Sequence, residues 1–323
     1  MQKIIITLFI IMLSSGCSQE QPKLRVQIPV VSDTTKTSAI FDGISAFAYL
    51  KKQTDFGPRT PGSDAHSICL SFLQSEMQKY ASSVSLLPFS HKGYDGKNIT
   101  MTNVLSSFNL KATTRILLLA HWDSRPRADQ DPDVKKQKEM VLGANDGASG
   151  VAVLIELARQ LKIKPPSVGI DMLFTDGEDY GKEGDNAGYF LGARSFSKNL
   201  PPGFKPEFAI LLDMVGDAQL EIRKERYSLE YAPAIVDLVW SAAKSLGIEQ
   251  FSDNLQGWVL DDHIPLNEVG IKTIDLIDFN YPDESNSYWH TTQDTPDKCS
   301  SESLEAVGKV LMHVIYNYPS EPR

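Results

Sequence analysis

From residue 38 onward the chain alternates between two hydrophobic rhythms. Residues 38–53 and 63–80 carry apolar positions at helical spacing and are separated by the turn-rich DFGPRTPGS. Strand-like stretches follow at 83–90 and 98–108. The run RILLLA (115–120) is short, apolar and continuous, as a strand buried on both faces requires. GIDMLFT (169–175), FAILLDMV (208–215) and IKTIDLID (271–278) repeat that pattern. Between them stand the helical segments 147–162, closed by a Pro pair, and 232–247, ending at glycine; 302–318 closes the chain. Strands alternating with helices predict an α/β protein with an open, mostly parallel sheet covered on both faces.

The N-terminus breaks this rhythm. Lys3 precedes the apolar run IIITLFIIML, then Ser14, Ser15, Gly16 and Cys17. The run is too short and wrongly flanked for a membrane span, and reads as an export signal over residues 1–16. The small residues before Cys17 match a bacterial lipoprotein signal, although the usual leucine sits one position early, at Leu13. Residues 17–37 are then a lipidated N-terminus and polar tether, and 38–323 the catalytic domain. The expectation is an exported, periplasmic protein that meets the membrane only through its lipid.

With 41% hydrophobic residues among 323, a large core can form. A net charge of −9 argues against a nucleic-acid-binding surface. Beyond Cys17, only Cys69 and Cys299 remain; their spacing excludes a cysteine metal site and leaves a disulfide or two buried thiols equally open.

The polar residues that remain are concentrated at strand ends. His121, Asp146, Glu178, Asp179 and Asp213 each follow a buried strand or open the loop or helix after it. In open α/β sheets, ligands bind beyond the carboxyl ends of the strands. Singly, each has an ordinary explanation: a core-satisfied His121, an N-capping Asp146, a surface-loop His290. Adjacent carboxylates such as Glu178 and Asp179, however, repel unless a cation or proton joins them. Together, carboxylates and histidine without cysteine suit Zn²⁺ with an open position for substrate. No P-loop and no G-x-S-x-G elbow is present.

The order H-x-D, GANDGASG, DGED, LLDMVGD and WHTTQDT resembles the zinc aminopeptidase superfamily and its glutaminyl cyclase branch, over roughly residues 40–320. The resemblance implies a three-layer α/β/α fold with a mixed, mostly parallel central sheet. It makes Asp146, Asp179 and His290 the ligands of one zinc, and Glu178 the proton-transferring carboxylate. Asp261 and Asp213 would hold Glu178 in a hydrogen-bonded carboxylate network. His121 and Asp213 match positions that bind a second zinc in the aminopeptidases, so the ligand set alone leaves peptidase and cyclase open.

LDDHIP, with Asp261 ahead of Asp262 and His263, and Trp289 before His290 resemble the cyclases, Trp289 as a pocket wall and His263 as a supporting residue. The activity implied is conversion of N-terminal glutamine of peptides and proteins to pyroglutamate, with loss of ammonia. The alternative is a two-zinc aminopeptidase. The chain departs from the animal cyclases in having Asp179 for glutamate, Ser285 for an aromatic residue, and GKEGDNAG for a tryptophan-bearing segment, which leaves Trp258 or Tyr189 as substitute walls.

Overall fold

The computed structural model describes residues 40–182 and 184–320. The expected export signal, Cys17, the tether and residues 38 and 39 of the first expected helix lie outside the described residues. Helix α1 (Gly43–Thr54) starts later than its apolar spacing, because the Asp42 side chain accepts the Ser45 amide and caps it there. Ser63 caps α2 (Asp64–Tyr80) in the same way through the His66 amide. Strands β1 (Ser83–Lys92) and β2 (Asn98–Phe108) form an antiparallel pair. There follow β3 (Arg115–His121), α3 (Ala148–Ile163), β4 (Gly169–Thr175), α4 (Leu191–Lys198), β5 (Phe208–Asp213), β6 (Ile222–Lys224), α5 (Arg226–Tyr231), α6 (Pro233–Leu246), β7 (Phe251–Leu255), α7 (His263–Glu268), β8 (Thr273–Ile277) and α8 (Ser301–Asn317).

The main sheet runs β1-β2-β4-β3-β5-β8. β4, β3, β5 and β8 are mutually parallel, whereas β2 joins β4 antiparallel. The sheet is therefore mixed and mostly parallel, as expected. The four parallel strands are the continuous apolar runs of the sequence, and almost every residue in them is buried.

Side chains alternate across a strand, and the core divides accordingly. Ile116, Leu118, Ala120, Ile170, Met172, Phe174, Ile210, Leu212, Ile274 and Leu276 join the core with α1, α2, α3, α6 and α8. Leu117, Leu119, Leu173, Ala209 and Leu211 pack on the other face, against Ala193 and Phe196 of α4 and Leu266 of α7. His121 and Asp213 continue the second set, so both emerge on the face that carries α7. The short elements α4, α5, α7, β6 and β7 are not marked by the apolar rhythm. Their form comes from packing: α4 and α7 lie together on the second face.

No described helix is long and apolar enough to cross a membrane. Cys69 and Cys299 are free and buried, not joined.

Candidate metal centre

Three strand ends and one loop meet at Asp146. The Asn145-Asp146 segment opening α3 is held from behind by Asp294, which accepts the Asn145 amide at 2.8 Å and the Asp146 amide at 3.2 Å. Tyr281 donates its hydroxyl to the same carboxylate. Gly147 allows the helix to begin here: a Cβ would lie 2.5 Å from the His121 ring. Likewise a Cβ on Gly150 would meet the Leu212 carbonyl at 2.3 Å, so α3 packs against β5 only through a glycine.

Asp146 is shared by two groups of metal-competent side chains, Asp146–Asp179–His290 and His121–Asp146–Glu178; within each the donor atoms lie within 4.8 Å of one another. In the first, His290 Nε2 is 3.3 Å from Asp179 Oδ1 and 3.6 Å from Asp146 Oδ2. Ligands about 2.0–2.2 Å from a tetrahedral zinc stand roughly 3.4 Å apart, so this set fits the ion. Asp179 Oδ2, buried and without a hydrogen-bond partner, fits it too. His290 adopts a left-handed backbone (φ 55°), a conformation rare outside glycine and concentrated at functional sites.

The second group is built on the α7 side. His121 Nε2 lies 3.1 Å from Asp213 Oδ1 and 3.2 Å from Asp146 Oδ1. Its Nδ1 lies 3.5 Å from Asp123 and 4.0 Å from Glu178. Asp123 also accepts the amides of both Glu178 and Asp179, at 3.1 and 3.3 Å. The Glu178-Asp179 pair therefore sits in a turn whose amides are captured, not in the extended chain that would point neighbours apart.

The two neighbours have opposite electrostatics. Burial pushes Asp179 up, but the Arg125 guanidinium and the His290 ring outweigh it and hold the carboxyl well below the usual carboxylate range. Glu178 is raised well above its ordinary range, chiefly by burial and then by the charges of Asp179, Asp262 and Asp213, despite His121. Asp261 is raised well above it as well, by burial and then by Asp213, Asp275 and Glu178. Asp262 is pushed up to about 7 by burial, although Thr175 donates its hydroxyl to it.

Asp261 reaches Glu178 and Asp213 through charge, and no hydrogen bond among the described residues joins the three. Its Oδ1 is instead taken by the Asp262 amide at 2.5 Å, because both lie at the tight start of α7.

His263 stands one layer further in. Fully buried, it lies 3.6 Å from Glu225 and 3.9 Å from Asp275, away from the metal-competent atoms. Trp289 stacks on the His290 ring at 3.6 Å and meets Phe279 edge-on. Ser285 is exposed, and Trp258 is 54% exposed against Tyr227. The Tyr189 hydroxyl accepts from Arg125, which ties that ring to the Asp179 side. Sequence reasoning passed over Arg125, Asp294, Asp275 and Glu225. Arg125 follows the H-x-D motif by two residues, but a lone loop arginine ordinarily reads as solvated.

Residues 103–315 match the family described as Peptidase family M28. The chain belongs to that family. Among solved structures, a glutaminyl cyclase of Bacteroides thetaiotaomicron bound to N-acetylhistamine is 40% identical, covers 87% of this chain and 100% of its own, and superposes with a TM-score of 0.84. The Tannerella forsythia glutaminyl cyclase is 38% identical over 87% of this chain and all of its own, with a TM-score of 0.83. A Bacteroides thetaiotaomicron protein described as a leucine aminopeptidase precursor is 40% identical over 87% of this chain and 98% of its own, also at 0.83. The M28 assignment makes zinc the fitting ion for the donors around Asp146.

Proposed function

We propose that this M28 protein is a zinc-dependent glutaminyl-peptide cyclotransferase, acting on N-terminal glutamine of peptides and proteins. The observation that carries the reading is the coupling of a three-ligand set, Asp146, Asp179 and His290, to an adjacent carboxyl, Glu178, whose burial and acidic neighbours make it hold protons tightly. The likeness to two bacterial cyclases over most of the chain supports it.

When bound, zinc supplies Lewis-acid polarisation of the glutamine side-chain carbonyl and favours the negative charge that develops there. Glu178 takes a proton from the α-amine as the N–Cδ bond forms. It returns the proton to the nitrogen that departs as ammonia when the Cδ–N bond breaks. The same carboxyl serves twice, so no water is consumed. Burial, and then the charges of Asp179, Asp262 and Asp213, favour the protonated form of Glu178, and Trp289 lines the wall beside His290.

The expected stoichiometry is one zinc per chain, at Asp146, Asp179 and His290; His121 Nε2, 3.2 Å from Asp146 and 3.1 Å from Asp213, stands at a spacing that would also suit a second ion, so metal content is part of the test. The second reading, a two-zinc aminopeptidase, is favoured by the M28 assignment and by the leucine aminopeptidase likeness. Incubation of the zinc-loaded enzyme with a Gln-peptide and a Leu-peptide separates them. Ammonia and pyroglutamyl product with one zinc equivalent supports the cyclase; free leucine with two equivalents replaces it by the peptidase.

Export and lipidation at Cys17 complete the proposal, on the strength of the apolar run and small residues before it. Cys17→Ser should move the protein from the membrane to the soluble fraction. Wild-type protein that is already soluble and unlipidated removes the anchor from the account.

A further inference from the structure

Arg125 is a large cation sealed inside the protein, only 2% exposed, and its donors are distributed with little waste. Nε and Nη2 grip Asp129 through both carboxylate oxygens, each at 2.7 Å. Nη2 also donates to the Tyr189 hydroxyl at 3.1 Å, and the guanidinium stands 5.6 Å from the centre of that ring. Nη1 remains, and it donates to Asp179 Oδ1 at 2.5 Å. Asp179 is thus anchored through one oxygen, while its other oxygen is buried without any hydrogen-bond partner.

A buried arginine costs free energy unless fully paired, so this arrangement calls for a return.

We propose that Arg125 is the positioning residue for the metal ligand Asp179, with Asp129 and Tyr189 as its two supports. The inference rests on the reading of Asp179 as a ligand. Outer partners that orient a metal ligand typically contribute about 10- to 100-fold in metal affinity. The fork geometry matters as well as the charge: a lysine keeps the cation but cannot hold Asp129, Tyr189 and Asp179 together.

The test is zinc affinity, measured by chelator competition on full-length protein, beside the visible absorption of the cobalt(II)-substituted form. Arg125→Met should weaken zinc binding by about 10- to 100-fold. Arg125→Lys should recover part of that loss, and the cobalt bands of both should shift. Tyr189→Phe, which removes one support and leaves the core intact, should weaken zinc by a smaller factor. Circular dichroism of the zinc-free variants checks folding, and if Arg125→Met does not fold, Arg125→Lys and Tyr189→Phe carry the decision. Folded variants with wild-type zinc affinity and unchanged cobalt bands overturn the proposal. Asp179→Asn separates the two levels: if it keeps full zinc affinity, the ligand reading fails; if it loses zinc while the Arg125 variants do not, only the role of Arg125 fails.

Discussion

The two flanks of Asp146 use the same chemical group to opposite ends. On one flank Asp179 faces Arg125 and His290, and its carboxyl is held far below its ordinary range. On the other, Glu178, Asp261, Asp262 and Asp275 are buried together, and all are pushed upward. Glu178 and Asp179 are adjacent in the chain, so composition does not separate them. A buried guanidinium on one side and its absence on the other favour the anionic form of one carboxylate, which suits a metal, and the protonated form of its neighbour, which suits proton transfer. Pairs of titratable groups driven apart by their environments mark the division of labour in an acid–base site.

The sharpest way to break this comparison is to exchange charge for an amide on each flank. Glu178→Gln should retain stoichiometric zinc while lowering kcat on a Gln-peptide by roughly a hundredfold or more, the usual loss with a general base. Asp179→Asn should lose zinc and regain some activity when zinc is added in excess. Elemental analysis beside turnover decides it, and zinc loss in the first variant with retention in the second reverses the assignment.

Stability gives a smaller but independent contrast, read by denaturant unfolding of zinc-stripped protein near neutral pH. Asp179→Asn removes a charged hydrogen bond from Arg125 and should cost about 1.5–3 kcal/mol. Asp261→Asn replaces a carboxyl whose neutral form burial already favours, and should change stability by less than about 1 kcal/mol. Equal costs on the two flanks would dissolve the distinction.

The smallest effect is on pH dependence. Buried Asp262 is pushed up to about 7, and burial likewise raises Asp176 and Asp278 to about 6. A carboxyl with a raised folded pKa binds more protons in the native than in the unfolded state between about pH 4 and pH 7. Its stabilising effect is complete below the unfolded pKa and is lost as pH rises through the folded value. Asp179 has the opposite sign, but its contribution changes only below about pH 4. The melting temperature of zinc-stripped enzyme should therefore fall by at least about 2 °C between pH 5 and pH 8, as calorimetry would register. A rise over that interval contradicts the raised carboxyls.

Much of the frame was legible because its signals are local. Continuous apolar runs marked β3, β4, β5 and β8, since a parallel strand covered on both faces has no polar side to display. His121 and Asp213 were found at their ends, and Asp146 at the start of α3, because loops after parallel strands gather at one edge. The α4 and α7 helices escaped notice, being short and held by packing on the second face.

The sequence by itself determined which donors arrive at the site and in what order. It could not determine which of them stay charged. Asp179 is an anion because Arg125, 54 residues earlier, folds to within 2.5 Å of it, steadied by Asp129 and Tyr189. Glu178 favours its protonated form because it is buried beside Asp179, Asp262 and Asp213 with no guanidinium paired to it. Electrostatic energy depends on distance and burial, and both are properties of the folded chain, so only the tertiary structure decided how two neighbouring carboxylates divide the work.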